Sequence, residues 1–398
     1  MAIAIHRNVF GSKKHLVIDS DGSSRWCNDV NATTWLYGGD TQRLLNFNAL
    51  LDVNNIDVSR VVPEQYVKAW EHASANSSVE PEWGKILPGK MYLERWKRVV
   101  SEIIEASSVI EDDYTPVYVK CRKFIGSLVR SKVDNEKVER LICDTQNHSL
   151  RENLSRFVSC NDDFCDRSIY NQAGTVTGRL TVKSGPNILT LKKDHRSILR
   201  SRHRDGALFM IDLVSLEPRI CGLISGYSPP EDIYGYFNEA FCPTMTREDA
   251  KMSIIGTLYG MSPRSLSRKI KCDTSARQVM TLVRNYLNTS KIVNNIEDDH
   301  REHGYVKNYF GRKIFTDEPI LNHYIQSTGV DVSILCFDKI VENLRDIGVN
   351  VDPTFIIHDA VILDVDAEGI DKIESFCEHP VEIDELAGSF YVKCERLC

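Results

Sequence analysis

No apolar run in this chain approaches the roughly 18 residues that a membrane-crossing helix needs, and no export-type apolar segment opens it. Its 12 cysteines form no C-x-x-C pair and no Cys/His spacing suited to zinc. Free thiols in a reducing compartment are therefore expected. Internal repeats and low-complexity tracts are also missing, which excludes solenoids and fibrous arrays. Positive charge is not in excess: 49 Lys and Arg face 56 Asp and Glu, giving a net charge of −7. That balance does not exclude nucleic-acid binding, because phosphate contacts are local and salt screens distant charges. Residues 1–18 lack acids and carry Arg7, Lys13 and Lys14. Yet AIAIHRNV and HLVID alternate around Gly11 as a strand pair would, which argues against an amphipathic presequence.

What is present suggests two or three folding units in 398 residues. Residues 1–60 read as short strands and loops, broken at Gly22, Gly38 and Gly39. Helical periodicity begins near Pro63. It is clearest in MYLERWKRVVSEIIEA, where Leu93, Trp96, Val100, Ile103 and Ile104 share one face. Further helices are expected at about 116–130 and 135–158. Two basic clusters, Lys192 to Arg204 and Arg264 to Lys271, are candidate phosphate contacts. LVIDSDG sets Asp19 and Asp21 a strand's alternation apart, but no array of partner acids follows. A 3′–5′ exonuclease domain needs ~100 residues or more, and the chain lacks that room.

The chemistry is concentrated in the C-terminal half. Asp212 in FMIDLVSLEPRI and Asp359 in FIIHDAVILDV each end an apolar β-like run. Two such carboxylates, distant in sequence, suit a shared divalent-metal site. Between them Arg247, Lys251, Ile255 and Tyr259 recur every four residues, so on a helix they line one face. Two cations followed by a ring, in that order, suit a nucleoside triphosphate.

These motifs, in this order, resemble the palm and fingers of family A DNA polymerases. TVTGRLTVKSGPNILTL is similar to the family's T-G-R-L…P-N segment, GYVKNYFGRKIF to the segment that leaves the fingers, and LNHYIQSTGVDV to its N-x3-Q helix. The short gap between the last two resembles the compact phage-type members, and the similarity covers roughly residues 170–398. The resemblance implies an α+β right-hand polymerase fold with an antiparallel palm sheet. Its parts would be a small N-terminal region (1–60), a helical thumb (61–173), a palm (174–230 and 304–398) and fingers (231–303).

It further implies template-directed DNA synthesis with two Mg²⁺ ions bridged by Asp212 and Asp359, the Leu213 carbonyl being a third ligand. Arg247 and Lys251 would hold the triphosphate, and Ile255, Tyr259 and Glu217 the sugar and base. Arg179, Asn187, Asn322, Gln326 and His358 would touch primer–template DNA. The implied partners are primer–template DNA and dNTPs, with an unidentified processivity factor, helicase or nuclease and no membrane. The implied setting is a bacterial or phage-infected cytosol, an organelle being the alternative.

Three positions depart from the family pattern: Ala360 stands where Glu is usual, Ile255 where an aromatic is usual, and Pro218 where a hydrophobic residue is usual. Asp364 is a poor substitute for the missing Glu, because five residues along a strand point it to the other face. Pro218 favours a strand end or edge. Two other readings are a single-subunit RNA polymerase and a catalytically silent polymerase-shaped DNA-binding protein. Glu217 argues against the first, and retention of Asp212, Lys251 and Asp359 against the second.

Overall fold

The computed structural model describes the chain apart from residues 1, 20, 31–33, 39–50, 52–56, 74–80, 108–112, 159–161, 173–174, 318–319 and 398. Gly39, one of the expected breakers, lies outside the described residues. The chain divides into two compact units, Met1–Lys123 and Phe124–Cys398. The division falls inside the segment expected as the thumb, so that segment contributes to both. No helix among the described residues is long and apolar enough to cross a membrane.

The first unit is built on a four-stranded sheet ordered β3-β2-β1-β4, with β1 at Ala2–Ile5, β2 at His15–Asp19, β3 at Ser24–Cys27 and β4 at Trp35–Tyr37. The expected strand pair forms: β1 runs antiparallel to β2, with Ile3 opposite Ile18 and Ile5 opposite Leu16. Alternation divides the apolar residues between two faces. Ile3, Ile5, Leu16 and Ile18 join one core cluster with Trp96, Val100 and Ile103, while Ala4, Val17 and Leu36 form another. The helix Gly89–Ser107 supplies Trp96, Val100 and Ile103. Leu93 and Ile104 are partly buried against the same cluster. Asp19 is ion-paired with Arg25, and Asp21 accepts from the Ser23 N–H at 2.8 Å as an ordinary turn.

The second unit centres on an antiparallel sheet of order β12-β13-β9-β16: β9 is Ala207–Leu213, β12 Val351–Ile357, β13 Ala360–Val365 and β16 Val392–Arg396. Short two-stranded pieces surround it, in which β5 (Lys132–Val133) pairs β8 (Leu199–Arg200), β6 (Ile169–Asn171) pairs β7 (Thr181–Ser184), β10 (Val306–Lys307) pairs β11 (Lys313–Ile314) and β14 (Val381–Ile383) pairs β15 (Leu386–Phe390). β9 and β13 are apolar almost throughout because they are central strands covered on both faces. Leu208 and Ile362 pack with Ile188, Leu191 and Ile198 on one face.

Two expectations need correction. The stretch 135–158 is not one helix but two, Asn135–Asp144 and His148–Ser155. Thr145 is extended, and Asn147 caps the second helix by accepting from the Leu150 N–H at 3.2 Å, so cap chemistry overrides continuous periodicity. Pro218 is not at a strand end. It is the third residue of the helix Leu216–Ile224, where the missing N–H has no intrahelical partner to lose.

A buried polar network ties three remote segments together. Asp331, in the 26-residue helix Leu321–Asp346, is fully buried. Its carboxylate accepts from Asn308 Nδ2 at 2.8 Å and Gln172 Nε2 at 3.3 Å. Asn308 Oδ1 in turn accepts from the Arg312 N–H at 2.9 Å, and the Arg312 guanidinium donates to the Gln172 carbonyl at 3.1 Å. Gly178 lies against that guanidinium with φ +76°. A Cβ there would come within 2.5 Å of Arg312 Cζ, so only glycine fits. Removing the carboxylate strands buried donors. Asp331→Ala should lower the stability of the folded chain by about 3 kcal/mol or more, read as a shift of the urea midpoint at unchanged slope. A smaller shift than for an exposed Asp→Ala control would show that the network is dispensable.

Candidate active site

The site is set by strand register. On β9, Asp212 lies between Ala360 of β13 and Lys393 of β16, its Cα partners in the ladder. The β12–β13 hairpin turns through His358 and Asp359, both exposed, with His358 in the left-handed region at φ 55°. Such a conformation is uncommon for a side chain bearing a Cβ and is held here by the hairpin. The Leu213 N–H donates to the Asp359 carbonyl at 3.0 Å, locking the turn to the end of β9. The two predicted carboxylates are thus neighbours.

The surroundings act on Asp212 in both directions. Burial, and then the charge of Asp359, push the Asp212 carboxyl up to about 6, against the opposing pull of Lys393 and Lys251. A half-buried carboxylate with a second acid beside it is a fitting receptor for a divalent cation. Among the described residues no group of three His, Cys, Asp or Glu is placed to hold an ion.

The helix carrying the predicted cations spans Arg247–Leu258, with Thr246 as its N-cap and Tyr259 at its C-terminal cap. Ala250, Ile254 and Leu258 are buried on one side, while Arg247, Lys251 and Tyr259 are exposed and Ile255 is half-buried. The predicted face is therefore the one turned away from the core. Tyr259 joins this helix to the helix Leu216–Ile224: its hydroxyl donates to Glu217 Oε1 at 2.5 Å. Arg179 Nη2 lies 3.4 Å from the same hydroxyl and 3.6 Å from Glu217. Burial pushes the Glu217 carboxyl up, while Tyr259 and Arg179 pull it down.

One pocket is lined by Arg179, Glu217, Gln326, His358 and Asp359 together. Asn187 and Asn322 do not line it. Asn187 is instead held through its backbone, its N–H donating to Asn153 Oδ1 at 3.1 Å and its carbonyl accepting from Asn153 Nδ2 at 2.9 Å. The Oδ1 atoms of Asn187 and Asn322 are both buried without a hydrogen-bond partner. Asp364 is not turned to the other face as expected: it shares the face of β13 that carries Ala360, opposite Leu208 of β9, but is fully buried, accepting from Ser201 Oγ at 2.5 Å and the Arg202 N–H at 2.9 Å.

The first basic cluster is largely engaged internally. Lys193 pairs with Glu395 at 2.6 Å, Arg200 with Asp134 at 2.6 Å, and Arg202 with Asp352 at 3.2 Å. In the second, Arg264, Arg268, Lys269 and Lys271 are exposed. Sequence reasoning missed Lys393, whose place beside Asp212 depends on non-local strand pairing. It also missed Asp232, whose position before an apolar helical run was a readable N-cap signal.

Residues 144–395 match the model of DNA polymerase family A, and the chain belongs to that family. Over 239 residues, 51% of the chain, it is 23% identical to DNA polymerase I of Chloroflexus aurantiacus, covering 25% of that protein. The chain thus matches only about a quarter of this curated relative's length. The POL domain of Pol1 from M. smegmatis, solved in complex with DNA primer-template and dNTP, is 13% identical with a TM-score of 0.57, covering 99% of this chain and 94% of that one. That likeness shows the fold, the α+β right-hand polymerase fold.

Because a carboxylate must shed its proton to bind a metal, divalent-cation affinity should rise as pH climbs through about 6, the value to which Asp212 is shifted. The metal-free protein behaves in the opposite sense. A raised folded-state pKa means the stability contributed by this group is present at low pH and lost as pH rises through about 6. Calorimetric titration with Mg²⁺ on either side of that value checks the first effect, and an affinity independent of pH would remove Asp212 from the ligand set.

Proposed function

We propose that the chain is a template-directed DNA polymerase, adding deoxynucleotides to a primer 3′ end by nucleotidyl transfer with two Mg²⁺ ions. The observation that carries this reading is the Tyr259–Glu217 hydrogen bond, which joins the cation-bearing helix face to the segment holding Asp212. In this reading residues 61–173 are the thumb, 174–230 and 304–398 the palm, and 231–303 the fingers.

Each residue then has a task. Asp212, Asp359 and the Leu213 carbonyl would hold the metal ions, which when bound would supply stabilisation of charge on the attacking and leaving oxygens. Arg247 grips the β- and γ-phosphates as a planar fork. Lys251 adds a compact charge and protonates the departing pyrophosphate. Ile255 packs against the incoming sugar and base with a branched side chain that is stiff at χ1. Glu217, fixed by Tyr259, closes the space beside the sugar 2′ position. Arg179, Asn187, Asn322, Gln326 and His358 contact primer–template. Minor-groove acceptors vary little between base pairs, so such contacts test pairing without reading sequence. The bacterial source of the curated relative supports a bacterial or phage-infected cytosol as the setting.

Primer extension with separate dNTP and rNTP pools tests the reading. Asp359→Ala should abolish extension while leaving primer–template affinity largely intact, since phosphate contacts supply most nonspecific binding. Near-normal turnover of that variant in Mg²⁺ would displace the assigned centre. Glu217→Ala should raise the kcat/KM ratio of ribonucleotide to deoxynucleotide, which reports differential transition-state binding. An unchanged ratio would point to a different sugar gate or to RNA synthesis.

A further inference from the structure

The residue that orients Arg247 is not on its own helix. Asp232 caps the helix Ile233–Phe241, its Oδ1 accepting from the Gly235 N–H at 3.1 Å. Its other oxygen, Oδ2, accepts from Arg247 Nε at 2.8 Å. The guanidinium also lies over the Tyr234 ring, 5.5 Å from its centroid. By contrast, Arg247 Nη1 has only a loose contact with Glu248, 3.8 Å away with the acid's side chain 80% exposed.

Asp232 is itself built into place. The segment before it is pinned by Arg219, 1% exposed, which donates to the carbonyls of Pro229 at 3.1 Å, Pro230 at 2.9 Å and Glu231 at 2.9 Å. On the other side, a Cβ at residue 235 would come within 2.5 Å of Asp232 Oδ2, so glycine there keeps the room that this oxygen occupies. An arginine held by Nε with a ring beneath it keeps both Nη groups turned outward as a fork.

We propose that Asp232 is a positioning residue for the incoming nucleotide: it anchors Arg247 by Nε so that both Nη groups are presented to the triphosphate. The inference rests on the reading of Arg247 as a triphosphate ligand. The order of groups from the palm outward becomes Arg219, the 229–231 carbonyls, Asp232, Arg247 and phosphate. Asp232 touches no reacting atom and acts only through Arg247.

Single-turnover incorporation with the full chain, varying dNTP, tests this in wild type, Asp232→Asn, Arg247→Ala and the double variant. Asparagine caps a helix as well as aspartate does, so a purely structural role predicts no change. The proposal predicts that Asp232→Asn raises the apparent Kd for dNTP roughly three- to fivefold, the scale of a half-exposed ion pair. The maximal rate and the primer–template Kd should stay unchanged. The double variant should match Arg247→Ala alone, because the anchor has nothing left to orient. Asp232→Ser, which also caps, should reproduce the Asn result. A lower Kd in Asp232→Asn would overturn the proposal, since it would mean that the carboxylate competes with the triphosphate. Unchanged or additive effects would overturn it too. If Arg247→Ala left the Kd unaltered, the triphosphate reading of Arg247 would fall and take the proposal with it. If Arg247→Ala raised the Kd and Asp232→Asn did not, only the proposal would fall.

Discussion

The antiparallel pairing of β9 with β13 is the constraint on which the rest of the second unit depends. Every residue of β13 is buried, as is every residue of β9 except the half-exposed Met210 and Asp212, so their register is held by packing. A slip of one residue would present Ile211 or Leu213 where Asp212 now stands and turn the carboxylate to the opposite face. The Leu213-to-Asp359 backbone hydrogen bond closes the same register at its open end. The acid pair is thus a product of apolar packing several residues away, not of any attraction between the acids, which repel.

The helix Arg247–Leu258 is coupled to this frame at its far end. Its N-terminal turn, with Arg247, is tied to Asp232, and its C-terminal cap, Tyr259, to Glu217 and Arg179. Three segments from different parts of the chain therefore meet at one phenolic hydroxyl. That hydroxyl and the Arg179 charge favour the ionised form of Glu217 against burial, and burial raises the Tyr259 phenol in turn. The cluster is polar, half-sheltered and short-range, which makes its geometry sensitive to small displacements of the helix.

What could be read from the sequence was whatever local periodicity encodes. The Arg247–Lys251–Tyr259 face, the helix containing Trp96 and Val100, and the acids ending two apolar strands all depend on spacing within about a dozen residues. The placement of Lys393 beside Asp212 depends on a strand 181 positions away, from residue 212 to residue 393, and no local pattern announces it. The network of Asp331, Asn308 and Gln172 was invisible for the same reason. The first basic cluster looked available for phosphate because its partners Asp134, Asp352 and Glu395 are remote in sequence. Pro218 was misplaced because a proline at a strand end and one in the first turn of a helix look alike without the intervening turn, here made by Ser215 at φ 53°.

The position of β16 has a consequence for association between molecules. It closes one side of the four-stranded sheet, and the edge of a sheet presents backbone groups on which another chain's strand can add. Lys393 and Arg396 are exposed on it and Glu395 partly so, giving the short strand VKCER three charges in five residues. Charges, lysine above all, make an edge a poor template for strand addition. The lysine that tempers Asp212 thus belongs to a strand whose composition also keeps the sheet from growing into its neighbours.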